Sequence, residues 1–398
     1  MISGARFRRA DSTTFAGIAA VAAGMAVCAW IGVRVNGWIL DETVIKQSAV
    51  HYTTGLPDTL LHDLNARGTS RGYSLLLAPL FAAFDGLQAV RLAHVANVLL
   101  WLTGIVPAFL IARQVIASRA LAVTAAAVVV LVPWVGLTSV LFTENLAYPL
   151  FIWAAWAILR ALWRPTWRSD LLAVVLAIAV AGARVQLAVM LVAYWVAIVA
   201  TLDGRVAGSW LLGLRPLLRF PIAMATLALT ALAVVKLQLG GQLHSKVASL
   251  LGGYSEIQDR PIVPTDYVKG ILAESEALAI GIGILPGAIG LDWLRRSLGR
   301  RGEPASVQRI FARGTVVIVA LVAGSAMYAQ NGFLGAGTEE RYFVYCVPLV
   351  VLAGFVALDR RSVRVGPTLA WVGLLACVVS LLGLPAAPSV ETAVLAPV

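Results

Sequence analysis

DLLAVVLAIAVAGARVQLAVMLVAYWVAIVATL, residues 170–202, decides the topology of this chain. Read as one helix it is a single long, tilted membrane span. Read as two, it is a short hairpin with Arg184 and Gln186 at its tip. A bilayer core takes about 20 apolar residues per helix, so length admits either reading. Charge separates them. With two helices, twenty of the 31 Lys and Arg residues fall on one side of the membrane, at the N-terminus and in 113–119, 160–168, 205–219, 295–313 and 360–364. A single helix would send the basic segments RRSLGRRGEPASVQR (295–309) and DRRSVR (359–364) to the other side. The positive-inside rule therefore favours the hairpin and an N-terminus on the inner side.

Working outward from the hairpin, the same alternation of apolar runs and short basic clusters covers the chain. It is 60% hydrophobic and 13% charged, with a mean hydropathy of +0.86, which marks a multi-pass membrane protein. Helices are expected near 14–33, 88–112, 119–137, 145–162, 170–183, 187–202, 217–238, 271–292, 312–330, 342–358 and 367–386, an all-α bundle of about eleven spans forming one domain over 1–398. Arg6, Arg8 and Arg9 precede a first run too long for a signal-peptide core, so that run is expected to remain as a helix. The formal charge of +11 is spread between the runs rather than gathered on one face, which argues against nucleic acid as a partner. Cys28, Cys346 and Cys377 lie within apolar runs at no metal-ligand spacing and read as packed side chains. No metal or other cofactor is expected.

Two segments on the outer side are too long for simple turns, 36–87 and 239–270, and long structured loops commonly carry function. The first holds two short amphipathic pieces, DETVIKQSAVHYTTG (41–55) and LPDTLLHDLNA (56–66), and then RGYSLLLAPLFAAF (71–84), short for a span. All three are expected as interfacial helices forming a platform over the bundle.

Ionisable groups at a membrane edge are costly and so are functional candidates. Four clusters reach the outer face. Asp41 and Glu42 follow the first helix, where they either cap a helix start or serve acid–base chemistry, with Asp41 as a general base. TENLAYPL (143–150) places Glu144 and Asn145 at the start of a helix, with Thr143 as its cap. ARVQ (183–186) sets Arg184 and Gln186 at the hairpin tip, where an arginine either snorkels to headgroups or forks onto a phosphate. GAGTEERYFVY (335–345) brings Glu339, Glu340, Arg341 and Tyr342 to the head of a late helix. Tyr73 and Tyr254 are candidates to stack on sugar rings, and His51 and His62 to hydrogen-bond an acceptor. His94 reads as a satisfied helix residue.

LDET after the first helix, RGYSLLLAPL ahead of the second, HVANVLLWLTGIVPAFLIARQ, PWVGLTSVLFTENLAYPLFIWAAWAILRALWRPT, the ARVQ hairpin and ERYFVY together resemble the actinobacterial, protein-mannosyltransferase-like branch of the GT-C membrane glycosyltransferases. The likeness runs in order through most of the first 190 residues and returns near 338–350, while 205–310 matches only in hydropathy. It implies a GT-C-like fold in the cell membrane with a cytoplasmic N-terminus and an active site facing outside. The donor would be a polyprenyl-phosphate-linked sugar, and the acceptor a hydroxyl on glycan, lipid or protein. Asp41 matches the acidic residue that serves the family as catalytic base, and Glu42 its common acidic neighbour. Some branches hold a divalent metal between acidic residues, but this chain lacks a dense Asp cluster. Glu144, Asn145, Gln186, Glu340, Tyr342 and Tyr73 would line the substrate site. Arg184, Arg341 or a basic residue of the second long loop, such as Lys246 or Lys269, would stabilise the departing polyprenyl phosphate. The competing class is a transporter or flippase, whose expected signature is inverted repeats with broken helices at the midplane. Gly281, Gly283, Pro286 and Gly287 break one helix, but the first half has no counterpart.

Overall fold

The computed structural model describes residues 3–34, 40–55, 71–201, 215–246, 279, 282–299, 306–331 and 343–382. Among them the regular structure is entirely helical. In chain order the α-helices are α1 (Ser3–Arg34), α2 (Leu40–Thr54), α3 (Arg71–Ala83), α4 (Gly86–Leu102), α5 (Ile105–Val115), α6 (Arg119–Val130), α7 (Glu144–Trp163), α8 (Trp167–Ala183), α9 (Val189–Thr201), α10 (Pro221–Leu239), α11 (Ile284–Gly299), α12 (Val307–Asn331), α13 (Val347–Asp359) and α14 (Val365–Leu382). Among the described residues four stretches are long and apolar enough to cross a bilayer: Gly86–Val115, Glu144–Trp163, Pro221–Leu239 and Val307–Tyr328. Val21–Arg34, Arg119–Val130, Val185–Thr201, Val344–Asp359 and Val365–Ala376 are shorter apolar helices.

The stretch 170–202 folds as two helices. α8 stops at Ala183, Arg184 is extended (φ −154°, ψ 117°), and a 3₁₀ turn, Val185–Ala188, leads into α9. The arms run antiparallel, because the Tyr194 hydroxyl on α9 donates to Asp170 Oδ1 on α8 at 2.9 Å. Asp170 also accepts from the main-chain N–H of Ile222 (2.7 Å) and Ala223 (3.2 Å), the open amides at the start of α10. A buried carboxylate at a helix N-terminus satisfies donors that have no partner within the helix and meets the positive end of its dipole.

Prolines account for two departures from the expected spans. The helix expected over 119–137 ends at Val130, and Pro133–Ser139 continues it as a 3₁₀ segment. The residue before a proline is disfavoured in the α conformation, and Val132 is correspondingly extended (φ −58°, ψ 155°). The helix expected over 88–112 is interrupted at Thr103–Gly104, four and three residues ahead of Pro107, which has no N–H to return to Thr103. The open carbonyls at the buried C-terminal end of α6 are met by aromatic side chains. Trp101 Nε1 donates to Val130 O at 2.9 Å and the Tyr148 hydroxyl to Val129 O at 2.6 Å, with the two rings stacked 4.2 Å apart.

The loops between helices lie at two ends of the bundle. One end carries Arg113, Arg164, Arg219, Arg295, Arg296, Arg309 and Arg360, and is tied by Asp359, whose carboxylate accepts from the amides of Ala117 (2.8 Å) and Ser118 (3.1 Å). The other carries the C-terminal end of α1, the N-terminal ends of α2 and α7, and the hairpin tip. α2 packs on α3 there, burying Ile45 and Ala49 against Tyr73 and Leu77. The sequence piece 56–66 and most of 239–270 lie outside the described residues.

α11 and α13 cross at their glycines. A Cβ on Gly290 would stand 2.5 Å from the Val350 carbonyl oxygen, and one on Gly354 would stand 3.0 Å from Pro286 O. Small residues at such crossings let backbones approach closely within a membrane. Gly290→Ala should therefore destabilise the protein by ~1–3 kcal/mol, the usual range for overpacking. Gly366→Ala, with open space around it, should leave thermal unfolding in detergent unchanged; equal melting of the two variants would contradict the crossing.

Candidate functional site

α1 delivers the Gly32 carbonyl, α2 delivers Glu42, α3 delivers Tyr73, α4 delivers His94 and Asn97, the 3₁₀ segment 133–139 delivers Leu137 and Thr138, α7 delivers Glu144 and Asn145, and the hairpin tip delivers Arg184 and Gln186. Glu42, Tyr73, His94, Asn97, Glu144, Asn145 and Arg184 are all buried. Such a density of buried polar groups in an apolar bundle is costly unless the groups bond one another.

His94 is held on both sides. Its Nδ1 lies 2.6 Å from Gly32 O, which can only accept, so Nδ1 carries a proton. Its Nε2 lies 3.2 Å from Glu42 Oε1. Glu42 Oε2 has no hydrogen-bond partner among the described residues.

The second ion pair joins Glu144 to Arg184. Arg184 Nε donates to Gln186 Oε1 at 2.8 Å, and Thr143 Oγ1 bridges the pair, 3.1 Å from Glu144 Oε2 and 3.5 Å from Arg184 Nη1. Thr143 was expected to cap α7. Instead its hydroxyl turns toward the ion pair and makes no capping bond. Arg184 is only 4% exposed, which removes the reading in which it snorkels to lipid headgroups. The tip is also anchored to α12, where the Ser325 hydroxyl donates to Gln186 O at 2.9 Å.

Tyr73 stands between the two acidic groups. Its hydroxyl donates to Asn97 Oδ1. Asn97 Nδ2 donates in turn to Thr138 O (3.3 Å) and Val140 O (3.1 Å), and Asn145 Nδ2 to Leu137 O (3.1 Å) and the same Val140 O (2.8 Å). Burial pushes the Tyr73 phenol well above its ordinary value; hydrogen bonds to Asn145 and Asn97 oppose the rise, and the Glu42 and Glu144 charges add to it. Tyr73 is therefore a neutral donor within electrostatic reach of both carboxylates. α3 reaches this position because Gly72 passes the Gly182 carbonyl so closely that a Cβ would stand 2.8 Å from its oxygen.

Thus Glu42, Tyr73, Glu144, Asn145, Arg184 and Gln186 gather at one end of the bundle. Lys246 is exposed, on the helical turn that follows α10. Asp41 falls in the first turn of α2 beside Glu42; its side chain lies outside the described residues, as do Lys269, Glu340, Arg341, Tyr342, Tyr254 and His62. The late motif is described from Phe343, and Tyr345 is buried edge-on against Phe151, ring centroids 5.5 Å apart. Sequence reasoning passed over Asn97 and left His94 as a helix residue. Their spacing of three, which puts both on one face of a largely apolar helix, was the available signal. Among the described residues no three His, Cys, Asp or Glu side chains gather as a metal site.

No protein-family model and no curated protein sequence matches this chain.

Removing one member of a buried ion pair strands the other, at a cost of about 3–5 kcal/mol. Arg184→Ala and Glu144→Ala should each lower the melting temperature in detergent sharply. The double variant Glu144→Gln/Arg184→Gln should recover much of the loss; additive losses in the double variant would show that the pair is not coupled.

Proposed function

We propose that this protein is a membrane glycosyltransferase that moves a sugar from a polyprenyl-phosphate donor to a hydroxyl acceptor, with inversion at the anomeric carbon. The observation that carries this reading is the convergence of Glu42 and Glu144 with the Arg184 guanidinium on one end of an apolar bundle, beside the helix turn that holds Asp41. A lipid-linked sugar keeps its prenyl chain in hydrocarbon while phosphate and sugar sit at the interface. Its enzyme needs carboxylates and a cation where apolar helices end. The resemblance of LDET, TENLAYPL and ARVQ to the GT-C family supports the same reading.

In this scheme Asp41 takes the proton of the acceptor hydroxyl as its oxygen attacks the anomeric carbon. The bond from that carbon to the phosphate oxygen breaks, and polyprenyl phosphate leaves with the electron pair. Arg184 is fixed in place by Glu144 and Gln186 and so presents a preorganised guanidinium to developing charge, alongside Arg341 or a lysine of 239–270. Glu42, held by His94, supports Asp41 from the next position on α2. The acceptor is a hydroxyl of glycan, lipid or protein.

The test is turnover in isolated membranes with a panel of polyprenyl-phosphate sugars. Asp41→Asn should lower turnover by orders of magnitude while leaving expression and donor binding largely intact, since only basicity is lost. Near-normal turnover in that variant, with an active wild type, would end the assignment of Asp41.

The reading also sets a topology, with the arginine-rich end in the cytoplasm and the Glu42–Glu144 end outside. In a background with Cys28, Cys346 and Cys377 replaced by Ala, a membrane-impermeant thiol reagent added to intact cells should label Thr54→Cys and spare Val363→Cys, both exposed positions. The opposite pattern would invert the orientation.

A further inference from the structure

A cavity of about 260 Å³ opens at the arginine-rich end, away from the Glu42–Glu144 cluster. It lies between α11, the start of α12 and the turn after α13. Arg296, Arg309 and Arg360 line it together with Ser306, Ser362 and Trp293, and no carboxylate is among its described lining residues. Arg296 is aimed by its surroundings: Asp292, behind it on α11, holds Nε at 2.9 Å, and Nη2 donates to Ser362 O at 2.8 Å. The first turn of α12 adds to the positive potential. Its open amides face this end, and Ser306 Oγ accepts only one of them, from Arg309 at 3.3 Å.

Three guanidinium groups, the Ser306 hydroxyl and a helix start describe a receptor for a phosphate, since planar forks pair with phosphate oxygens and a hydroxyl adds a donor. The volume lies just under the roughly 300–1,000 Å³ of sites that enclose a drug-sized ligand. It therefore suits a headgroup rather than a whole lipid. The elements around the cavity also carry exposed apolar side chains, Leu298, Val307 and Leu358, on which acyl chains could lie. Basic pockets between membrane helices are known to take anionic headgroups.

We propose that this cavity is a binding site for a phosphate group, carried by an anionic lipid headgroup or by a soluble phosphate compound, and that it is separate from the carboxylate-lined end of the bundle. It is independent of the glycosyltransferase reading, because none of its residues is used there.

The experiment follows thermal unfolding of the purified full-length protein in detergent micelles. Four additions are compared: micelles doped with dioleoyl phosphatidylglycerol, micelles doped with uncharged dioleoylglycerol, inorganic phosphate, and chloride at matched ionic strength. Stabilisation by phosphatidylglycerol alone identifies a lipid headgroup, and stabilisation by inorganic phosphate as well identifies a soluble anion; either supports the site. Arg360→Gln should weaken the apparent affinity about tenfold, the value of one charge-assisted hydrogen bond. Arg309→Gln should do the same, and Arg364→Gln, which does not line the cavity, should leave it unchanged. Arg309 is buried, so if its variant fails to fold, the exposed Arg360 carries the test. No stabilisation by either phosphate source, or stabilisation that survives Arg360→Gln, overturns the proposal.

Discussion

A guanidinium and a carboxylate buried together at the tip of a hairpin organise one end of this protein. Arg184 interrupts what would otherwise be a continuous apolar helix, and the interruption is stable because Glu144, Gln186 and Thr143 meet its donors. A charge left alone at that depth would cost several kcal/mol, so the start of α7 and the turn between α8 and α9 must arrive together. The turn places the Gly182 carbonyl against Gly72, which sets α3 down where Tyr73 reaches Asn97. The polar network is thus the joint between the long spans and the helices α2 and α3, besides being the candidate site.

The opposite end is joined by different means. Asp170 and Asp359 accept main-chain amides at helix starts, and Asp292 pairs with arginines of its own helix. These carboxylates act on local partners and leave a net cationic surface. The carboxylates of the Glu42–Glu144 cluster are instead enclosed with polar side chains from five separate segments. Two ends built from the same residue types therefore differ in what they can do: one holds charge in fixed positions, and the other offers it to the surroundings.

Much of the helical plan was legible because apolar runs and basic clusters alternate, and the hairpin was legible because charge bias penalises the alternative. The ends were less so. α11 runs on past Asp292 to Gly299, and the buried Asp292 carboxylate pairs there with Arg295 and Arg296, a pairing that hydropathy does not weigh. In the site, Glu42, Glu144 and Arg184 stood out as ionisable groups next to apolar runs. His94 and Asn97 did not, since a lone polar residue in an apolar run can bond anything, and here the partners come from 52 and 24 residues away. The roles expected of Glu340, Arg341, Tyr342 and Lys269 fall on residues beyond those described.

α10 follows a different rule from the rest of the bundle. Of its nineteen residues only Ala223 is buried, while Leu229, Leu232, Val235 and Leu239 stand open. Its fixed points are near its start, at Asp170 and at Thr226, which accepts from Trp195 Nε1 at 3.4 Å. Beyond Thr226 few of its side chains pack on described neighbours, so in a bilayer this helix has more freedom than its neighbours to tilt in response to hydrocarbon thickness. The far end of α10, where 239–270 begins, would then shift in height with the thickness of the membrane around it.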